Sequence, residues 1–165
     1  MYLDRVGLIM NYFKPPVRPE LTSRYRVFLA GSIEMGNCED WQTTVAKELK
    51  DFDIDVFNPR RDDWDSTWEA RASNPQFRDQ VEWELEHLGA ADIIIMYLDP
   101  NTKSPISLME LGLYKDHNMV VCCPDGFWRK GNVEIVCEQN YIPLFNDLDS
   151  MIKYVKNYIE QMTDD

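Results

Sequence analysis

The feature that most constrains the fold is a series of short, continuous apolar runs with helical segments between them. Four such runs cover residues 26–30, 54–57, 92–98 and 119–123, and a shorter one lies near 141–145. Strands that are apolar on both faces belong in a parallel sheet that helices cover from both sides. The pattern therefore predicts an α/β protein with a single doubly wound domain and a five-stranded, mainly parallel sheet.

Helix signals fill the intervals between these runs. Asp40 can cap a helix that extends to Leu49, while Ser104 stands at the N-cap and Pro105 at the first helical position of another. Further helices are predicted over 75–88 and 148–161. Residues 24–165 thus read as one flavodoxin/Rossmann-like domain, and residues 1–23, which contain three closely spaced prolines, as an N-terminal extension.

Composition narrows the possible partners. The chain has 165 residues, with 29 acidic and 17 basic side chains and a net charge of −12. This balance disfavours a nucleic acid duplex or a membrane surface as partner, because both require clustered cations. Asp4 and Arg5 precede any apolar stretch, and no apolar run approaches 18 residues. We expect a cytoplasmic protein that acts on a small molecule.

Cofactor and metal signals are weak. The four cysteines form no CxxC pair, and Cys122 and Cys123 lie inside an apolar run, so reduced core thiols are expected. His87 and His117 are interpreted as surface residues. Neither a phosphate-binding GxxxxGK[ST] loop nor a GxGxxG fingerprint occurs. The sequence therefore predicts no metal and no cofactor.

Polar residues cluster where the predicted strands end. In a parallel sheet, ligands bind beyond the carboxyl ends of the strands. Asp99 can accept from an amine or a sugar, or serve as the turn residue before Pro100. Arg60 can meet a phosphate, or it can pair with a neighbouring aspartate. The predicted binding residues at this edge are Gly31, Ser32, Asn58, Arg60, Asp99, Ser104 and Ser107.

Two carboxylates stand out against apolar surroundings. Glu110 lies inside the apolar helical segment 106–113, where it is either functional or on a solvent face. Glu84 falls on the stripe that Val81, Leu85 and Leu88 define by helical spacing, where the alternative is a Glu that reaches solvent from the edge of the stripe. Two inward carboxylates suit glycosidic bond cleavage, with one attacking the anomeric carbon and the other handling the proton of the leaving group.

Three segments resemble the nucleoside 2-deoxyribosyltransferase-like superfamily. They are FLAGSI at 28–33, ADIIIMYLDP at 91–100 and ISLMELGLY at 106–114. The resemblance implies that Glu110 is the nucleophile and that Glu84 contacts the base or assists its departure. It also implies a small-molecule nucleoside or nucleotide and a free nucleobase as substrates. The superfamily contains both base-exchanging transferases and deoxynucleoside 5′-monophosphate N-hydrolases.

Some positions of this sequence match the hydrolases and others match the transferases. Ser104 stands where the resemblance places a phosphate-contacting serine in the hydrolases, but its capping role also explains it. Glu34 stands where the hydrolases carry Arg, and a carboxylate there would repel a phosphate. Asn132 resembles a residue that transferases lend to the sugar in a neighbouring protomer's site. The favoured interpretation is a homodimeric or larger transferase that moves a (2-deoxy)ribosyl group through a covalent glycosyl-Glu intermediate.

Two alternatives stay open. One is a (deoxy)nucleoside 5′-monophosphate N-glycohydrolase, and the other is a non-catalytic nucleotide-binding domain with the same fold.

Assembly is expected to use Phe127 and Trp128, which lie shortly before Asn132 and offer apolar surface. Trp64 and Trp68 lie in a polar loop that is interpreted either as a binding surface or lid, or as a segment packed on the domain.

Overall fold

The computed structural model describes residues 10–33 and 38–164, where six strands and five helices are found; Glu34 lies outside the described residues. Their order is β1 (Asn11–Phe13), β2 (Tyr25–Gly31), α1 (Trp41–Glu48), β3 (Ile54–Phe57), α2 (Pro75–Ala90), β4 (Ile93–Tyr97), α3 (Pro105–Leu113), β5 (Met119–Cys122), α4 (Lys130–Gln139), β6 (Leu144–Phe145) and α5 (Leu148–Thr163). All strand pairs are parallel, in the order β1-β3-β2-β4-β5-β6. The prediction of a doubly wound α/β domain is confirmed.

Two apolar layers enclose the sheet. All five residues of β4 are buried, with Ile94 and Met96 in one core cluster and Ile93 and Ile95 in the other. This alternation explains why the strand is apolar throughout, since successive side chains point to opposite faces. Burial of both faces supplies most of the favourable free energy of folding. No helix among the described residues is long and apolar enough to span a membrane.

The sheet has six strands where five were expected, because the segment before residue 24 contributes an edge strand. β1 pairs with β3, and Asn11 Nδ2 donates to Asp55 Oδ1 at 2.9 Å. Further along, the carbonyl of Val17 accepts from Trp83 Nε1 at 2.6 Å. A three-residue strand followed by closely spaced prolines carries too little periodicity to be predicted, and its pairing depends on contacts distant in sequence.

Gly31 ends β2 in a conformation that needs glycine. Its φ is +125°, and a Cβ at this position would lie 2.2 Å from the carbonyl oxygen of Tyr97. The close approach lets Ser32 N donate to that same oxygen at 2.9 Å. The turn thereby brings the first residue after β2 against the end of β4.

Several local predictions were wrong. His87 is buried at 2% exposure and stacks on Phe57, with ring centroids 4.6 Å apart, so only His117 is a surface residue. Phe127 is also buried, whereas Trp128 is exposed. In each case a tertiary contact that local spacing does not encode decides the burial.

The inward stripe of α2 also differs from the expected one. Leu85 is 40% exposed, and the buried positions are instead Gln80, Trp83, His87 and Leu88. The helix turns its aromatic and amide side chains inward because β1 and the segment after it cover this side of the sheet. Of the four cysteines expected as core thiols, Cys122, Cys123 and Cys137 are buried, whereas Cys38 is only partly buried.

Candidate active site

Three hydroxyl groups meet where β2 and β4 end. Ser32 Oγ lies 2.6 Å from Ser104 Oγ and 3.0 Å from Thr102 Oγ1, and the last two oxygens are 2.7 Å apart. Asp99 N donates to Ser32 Oγ at 2.9 Å, and Thr102 Oγ1 donates to the carbonyl of Asp99. We call Ser32, Thr102 and Ser104 the hydroxyl cluster. All three residues are buried.

Ser104 occupies the N-cap position of α3 but does not cap it. Its backbone is left-handed, with φ 46° and ψ 55°, and its side chain makes no capping hydrogen bond. The capping explanation of this serine is therefore wrong, because its hydroxyl turns into the cluster instead. A non-glycine residue held in this conformation requires support from its surroundings, and the cluster supplies it.

The turn after β3 forms the next wall of the site. Asn58 is fully buried; it donates from Nδ2 to Tyr12 Oη at 2.6 Å and accepts from Arg60 N at 2.9 Å. Arg60 donates to Gln42 Oε1 at 3.1 Å, while Gln42 Nε2 donates to the carbonyl of Ser32 at 3.2 Å. Asn58, Arg60 and Ser32 are thus joined by hydrogen bonds, as their positions at strand ends predicted.

Glu84 projects from α2 next to this turn. Its one hydrogen bond among the described residues comes from Gln80, whose Nε2 lies 2.6 Å from Glu84 Oε2 and 3.1 Å from the carbonyl of Pro59. Burial raises the pKa of Glu84 to about 7, although the hydrogen bond from Gln80 lowers it. A carboxyl group with this pKa can give up or accept a proton near neutral pH.

Glu110 lies on the inward side of α3 and is 7% exposed. Within the described part of the chain, nothing donates a hydrogen bond or forms a salt bridge to its carboxyl. Every fully enclosed side-chain oxygen in that part has a partner, so the oxygens of Glu110 keep some solvent-accessible surface. Burial, followed by the charge of Glu84, raises the pKa of Glu110 to about 8.

The two carboxyls are neighbours in the fold although 26 positions separate them in sequence. The negative charge of Glu84 acts on Glu110, and burial, followed by the charge of Glu110, raises the pKa of Tyr114. Ser107, one turn before Glu110 on α3, is also buried. Paired carboxyls with pKa values displaced by burial are typical of catalytic sites.

The other predicted residues lie at the borders of this region. Asp99 is buried, with Oδ1 accepting from Asn101 N at 2.8 Å, so its carboxylate already holds a turn. Asn132 is exposed on α4, where it lines a groove of about 310 Å³ with Leu108 and Gly112 of α3. Glu110 is not among the residues that line this groove. Hydrogen bonds link Ser32, Ser104, Asp99, Arg60 and Asn58, directly or through Gln42, and the charge of Glu84 acts on Glu110, whereas Asn132 lines a groove to which none of these residues contributes.

An aromatic pair lies beside the carboxyl end of β3. The rings of Trp64 and Trp68 are 4.9 Å apart and edge-on, and the guanidinium of Arg61 lies 5.1 Å from the centre of the Trp68 ring. Arg61 also reaches Gln80 Oε1 at 3.5 Å. Trp64 remains 40% exposed, so the loop retains aromatic surface near the site.

Sequence reasoning missed Gln80, Gln42 and Thr102. The two glutamines are buried amides, which need hydrogen-bond partners, but nothing in a single sequence shows that they are buried. Thr102 lies between two residues of interest in the stretch that follows β4, and only the fold shows its contact with Ser32. No group of three metal-ligating side chains occurs within 10–33 and 38–164.

Comparison with known proteins identifies the family and supports the fold. A family model described as nucleoside 2-deoxyribosyltransferase like matches residues 24–127. The crystal structure of a conserved protein from Enterococcus faecalis V583 has a TM-score of 0.56 at 13% identity, covering 82% of this chain and 99% of that one, which supports the fold. No curated protein matches. With its doubly wound sheet and most of its length matched, the chain belongs to the nucleoside 2-deoxyribosyltransferase-like family.

Proposed function

We propose that this protein cleaves the N-glycosidic bond of a (2-deoxy)ribonucleoside and transfers the sugar to another nucleobase, with Glu110 as nucleophile. The observation that carries the proposal is the state of Glu110, which is nearly buried, has no hydrogen-bond or salt-bridge partner among the described residues and keeps some solvent-accessible carboxyl surface. An unpaired carboxylate in such surroundings is costly, and a positively charged anomeric centre would offset that cost.

The chemistry proceeds in two balanced steps. In the first, the bond between C1′ and the base nitrogen breaks while a Glu110 oxygen bonds to C1′, and the proton of Glu84 passes to the departing base. In the second, a nitrogen of the incoming base attacks C1′, the ester bond to Glu110 breaks, and the proton of the new base returns to Glu84. Each step has an oxocarbenium-like transition state that the ionised Glu110 stabilises.

The hydroxyl cluster favours a nucleoside over its 5′-monophosphate. Its three hydroxyl hydrogens can all be used inside the cluster or on the carbonyl of Asp99. The carboxylates of Asp99 and Glu39 lie at the same strand ends, where Asp99 Oδ1 accepts from Asn101 N at 2.8 Å and Glu39 Oε1 accepts from Tyr97 Oη at 3.0 Å. A phosphate dianion would have to break these hydrogen bonds and approach two negative charges, which is unfavourable at close range.

A second candidate function is hydrolysis of nucleoside 5′-monophosphates. It is favoured by Ser104, whose hydroxyl lies at the N-terminus of α3 without capping it. Helix N-termini attract anions, so a rearranged cluster could bind a phosphate there. In that reaction water, instead of a base, would break the ester to Glu110.

Two measurements test these proposals. Protein incubated with a deoxynucleoside and no acceptor base is analysed by mass spectrometry, where a pentosyl adduct on Glu110 is expected. Turnover is then measured for a nucleoside and its 5′-monophosphate, each with and without an acceptor base. Transfer requires the acceptor and favours the nucleoside, whereas a tenfold preference for the monophosphate without an acceptor would establish the hydrolase.

We also propose that two copies of the chain associate through the outer faces of α3 and α4. Ile106, Met109 and Leu113 of α3 are 57–60% exposed at helical spacing, and Ile135 of α4 is 60% exposed. Trp128 borders the groove that holds Asn132, so a second copy seated there would meet that amide. Apolar side chains in this arrangement are typical of an interface.

Sedimentation measurements on the unchanged protein and on Met109→Glu test this association. The unchanged protein is expected to be at least a dimer, and the variant a monomer that keeps its helical circular dichroism. Leu21→Glu is the matched control, because Leu21 is also exposed but lies away from α3 and α4. A monomeric unchanged protein with full activity would exclude the proposed interface.

A further inference from the structure

Gln80 connects the turn after β3 to Glu84, one of the two buried carboxyl groups, through hydrogen bonds. It is 5% exposed, and its side chain has three partners from two different segments. Nε2 donates to Glu84 Oε2 at 2.6 Å and to the carbonyl of Pro59 at 3.1 Å, while Oε1 accepts from Arg61 Nη1 at 3.5 Å.

These contacts fix the orientation of the amide. Pro59 presents a carbonyl, which can only accept, and Arg61 presents a guanidinium, which can only donate. The amide nitrogen of Gln80 must therefore face Pro59 and Glu84, and its oxygen must face Arg61. As a result, Gln80 can only donate to Glu84, and this hydrogen bond occupies Oε2 and leaves Oε1 for the leaving base.

We propose that Gln80 is a positioning residue that holds Glu84 beside Glu110 and keeps Glu84 able to release its proton. This inference rests on the proposed function, in which Glu84 protonates the departing base and takes a proton back from the incoming one. A buried carboxyl without a donor would hold its proton too firmly to complete that cycle, because burial disfavours the charged form.

The charged and titratable groups near Glu84 determine which pKa values should change when Gln80 is replaced. Glu110 on α3 is the titratable group of another helix on which the charge of Glu84 acts, and Arg61 contacts Gln80. His87, one turn along α2, is bonded through Nδ1 to the carbonyl of Trp83. Loss of the Gln80 donor should raise the pKa of Glu84. Because a neutral Glu84 no longer repels the charge on Glu110, the pKa of Glu110 should fall at the same time.

The test compares Gln80→Met with Gln76→Met, the matched control one turn earlier on the exposed side of α2. Titration is followed by ¹³C NMR of the glutamate side-chain carboxyls, with Glu84→Gln and Glu110→Gln used to assign the signals. In Gln80→Met we expect the Glu84 signal to titrate about one pH unit higher and the Glu110 signal to titrate lower. The control should change neither.

Catalysis provides the second readout. We expect Gln80→Met to lower kcat about tenfold, the equivalent of one lost charge-assisted hydrogen bond, with KM changed little. The same substitution in a Glu84→Gln background should have no further effect on the pH profile. If Gln80→Met does not fold, Gln80→Ala replaces it, because this smaller variant also removes the donor to Glu84 and adds no charge.

The possible outcomes are distinct. Unchanged Glu84 titration in the folded variants would overturn the proposal, as would a shifted titration with kcat within twofold of the control. Absence of N-glycosidic activity in the unchanged protein would instead refute the proposed function, and the titration would still decide whether Gln80 governs Glu84.

Discussion

The edge of the sheet carries two polar groups that differ in how completely they are hydrogen-bonded. The hydroxyl cluster is saturated, since Ser32, Thr102 and Ser104 bond to one another and to the backbone of Asp99. The carboxyl pair has a single hydrogen bond, from Gln80 to Glu84, and none to Glu110 in the described residues. A saturated group stabilises a turn, whereas an unsaturated buried group destabilises the fold and remains available to a ligand.

Replacing the nucleophile should have the largest effect. Glu110→Ala removes the atom that bonds to C1′, so kcat for base exchange should fall by roughly three orders of magnitude or more while the fold persists. Steady-state kinetics and circular dichroism measure the two quantities. Glu138→Ala is the matched control, because Glu138 is an exposed glutamate on α4. A folded Glu110→Ala protein with near-normal turnover would remove Glu110 from the mechanism.

The free energy of unfolding should show how much the burial of Glu110 destabilises the protein. The folded pKa of Glu110, about 8, lies above its ordinary value of 4.5, so the contribution of this one group to stability is most favourable below pH 4.5 and is lost as the pH rises to 8. Glu110→Gln should therefore be more stable than the unchanged protein at pH 8, by about 2 to 4 kcal/mol, and similar at pH 5. Urea unfolding at both pH values measures this. Equal stability at pH 8 would mean that Glu110 is not penalised by burial.

The pH dependence of kcat/KM should be set jointly by the ionisation of Glu84 and of Glu110. With Glu110 ionised and Glu84 protonated in the active form, kcat/KM should be bell-shaped, with apparent pKa values near 7 and 8. Glu84→Gln cannot lose a proton at this position, so its remaining activity should rise with pH and then level off. Persistence of the falling limb in that variant would assign it to another group.

Disrupting the saturated cluster should have the smallest effect. Ser104→Ala removes hydroxyl contacts at 2.6 and 2.7 Å and should lower the free energy of unfolding by about 1 kcal/mol. Nucleoside turnover should stay within a fewfold, because the hydroxyl is used inside the protein. Kinetics with the nucleoside and its 5′-monophosphate test this. A selective loss of monophosphate turnover would show instead that Ser104 binds the phosphate.

The sequence was most informative about regular elements and least informative about contacts between them. Continuous apolar runs predicted four strands closely, and the ELG segment within an apolar helix indicated Glu110, which is buried. Glu84 was selected by a stripe that contained the exposed Leu85, so the reasoning was wrong although the residue lies beside Glu110. Helical spacing gives the periodicity of a face, and only the packed neighbours decide which face is covered.

Contacts between distant segments explain the remaining differences. His87 is buried because Phe57 and Trp83 stack against it, and the hydroxyl of Ser104 turns away from its helix because Ser32 and Thr102 surround it. Gln80 is important only because Pro59 and Arg61 approach it from the preceding turn. A single sequence carries no local signal for any of these pairings.

The edge strand β1 has a practical consequence for work with this protein. Family similarity begins at residue 24, so a shortened gene that starts there is an obvious choice for expression. Such a chain would lack β1, leaving the hydrogen-bonding edge of β3 unpaired, and it would lose the Tyr12 and Val17 contacts to Asn58 and Trp83. Exposed strand edges recruit other strands, so the truncated protein should aggregate or form inclusion bodies.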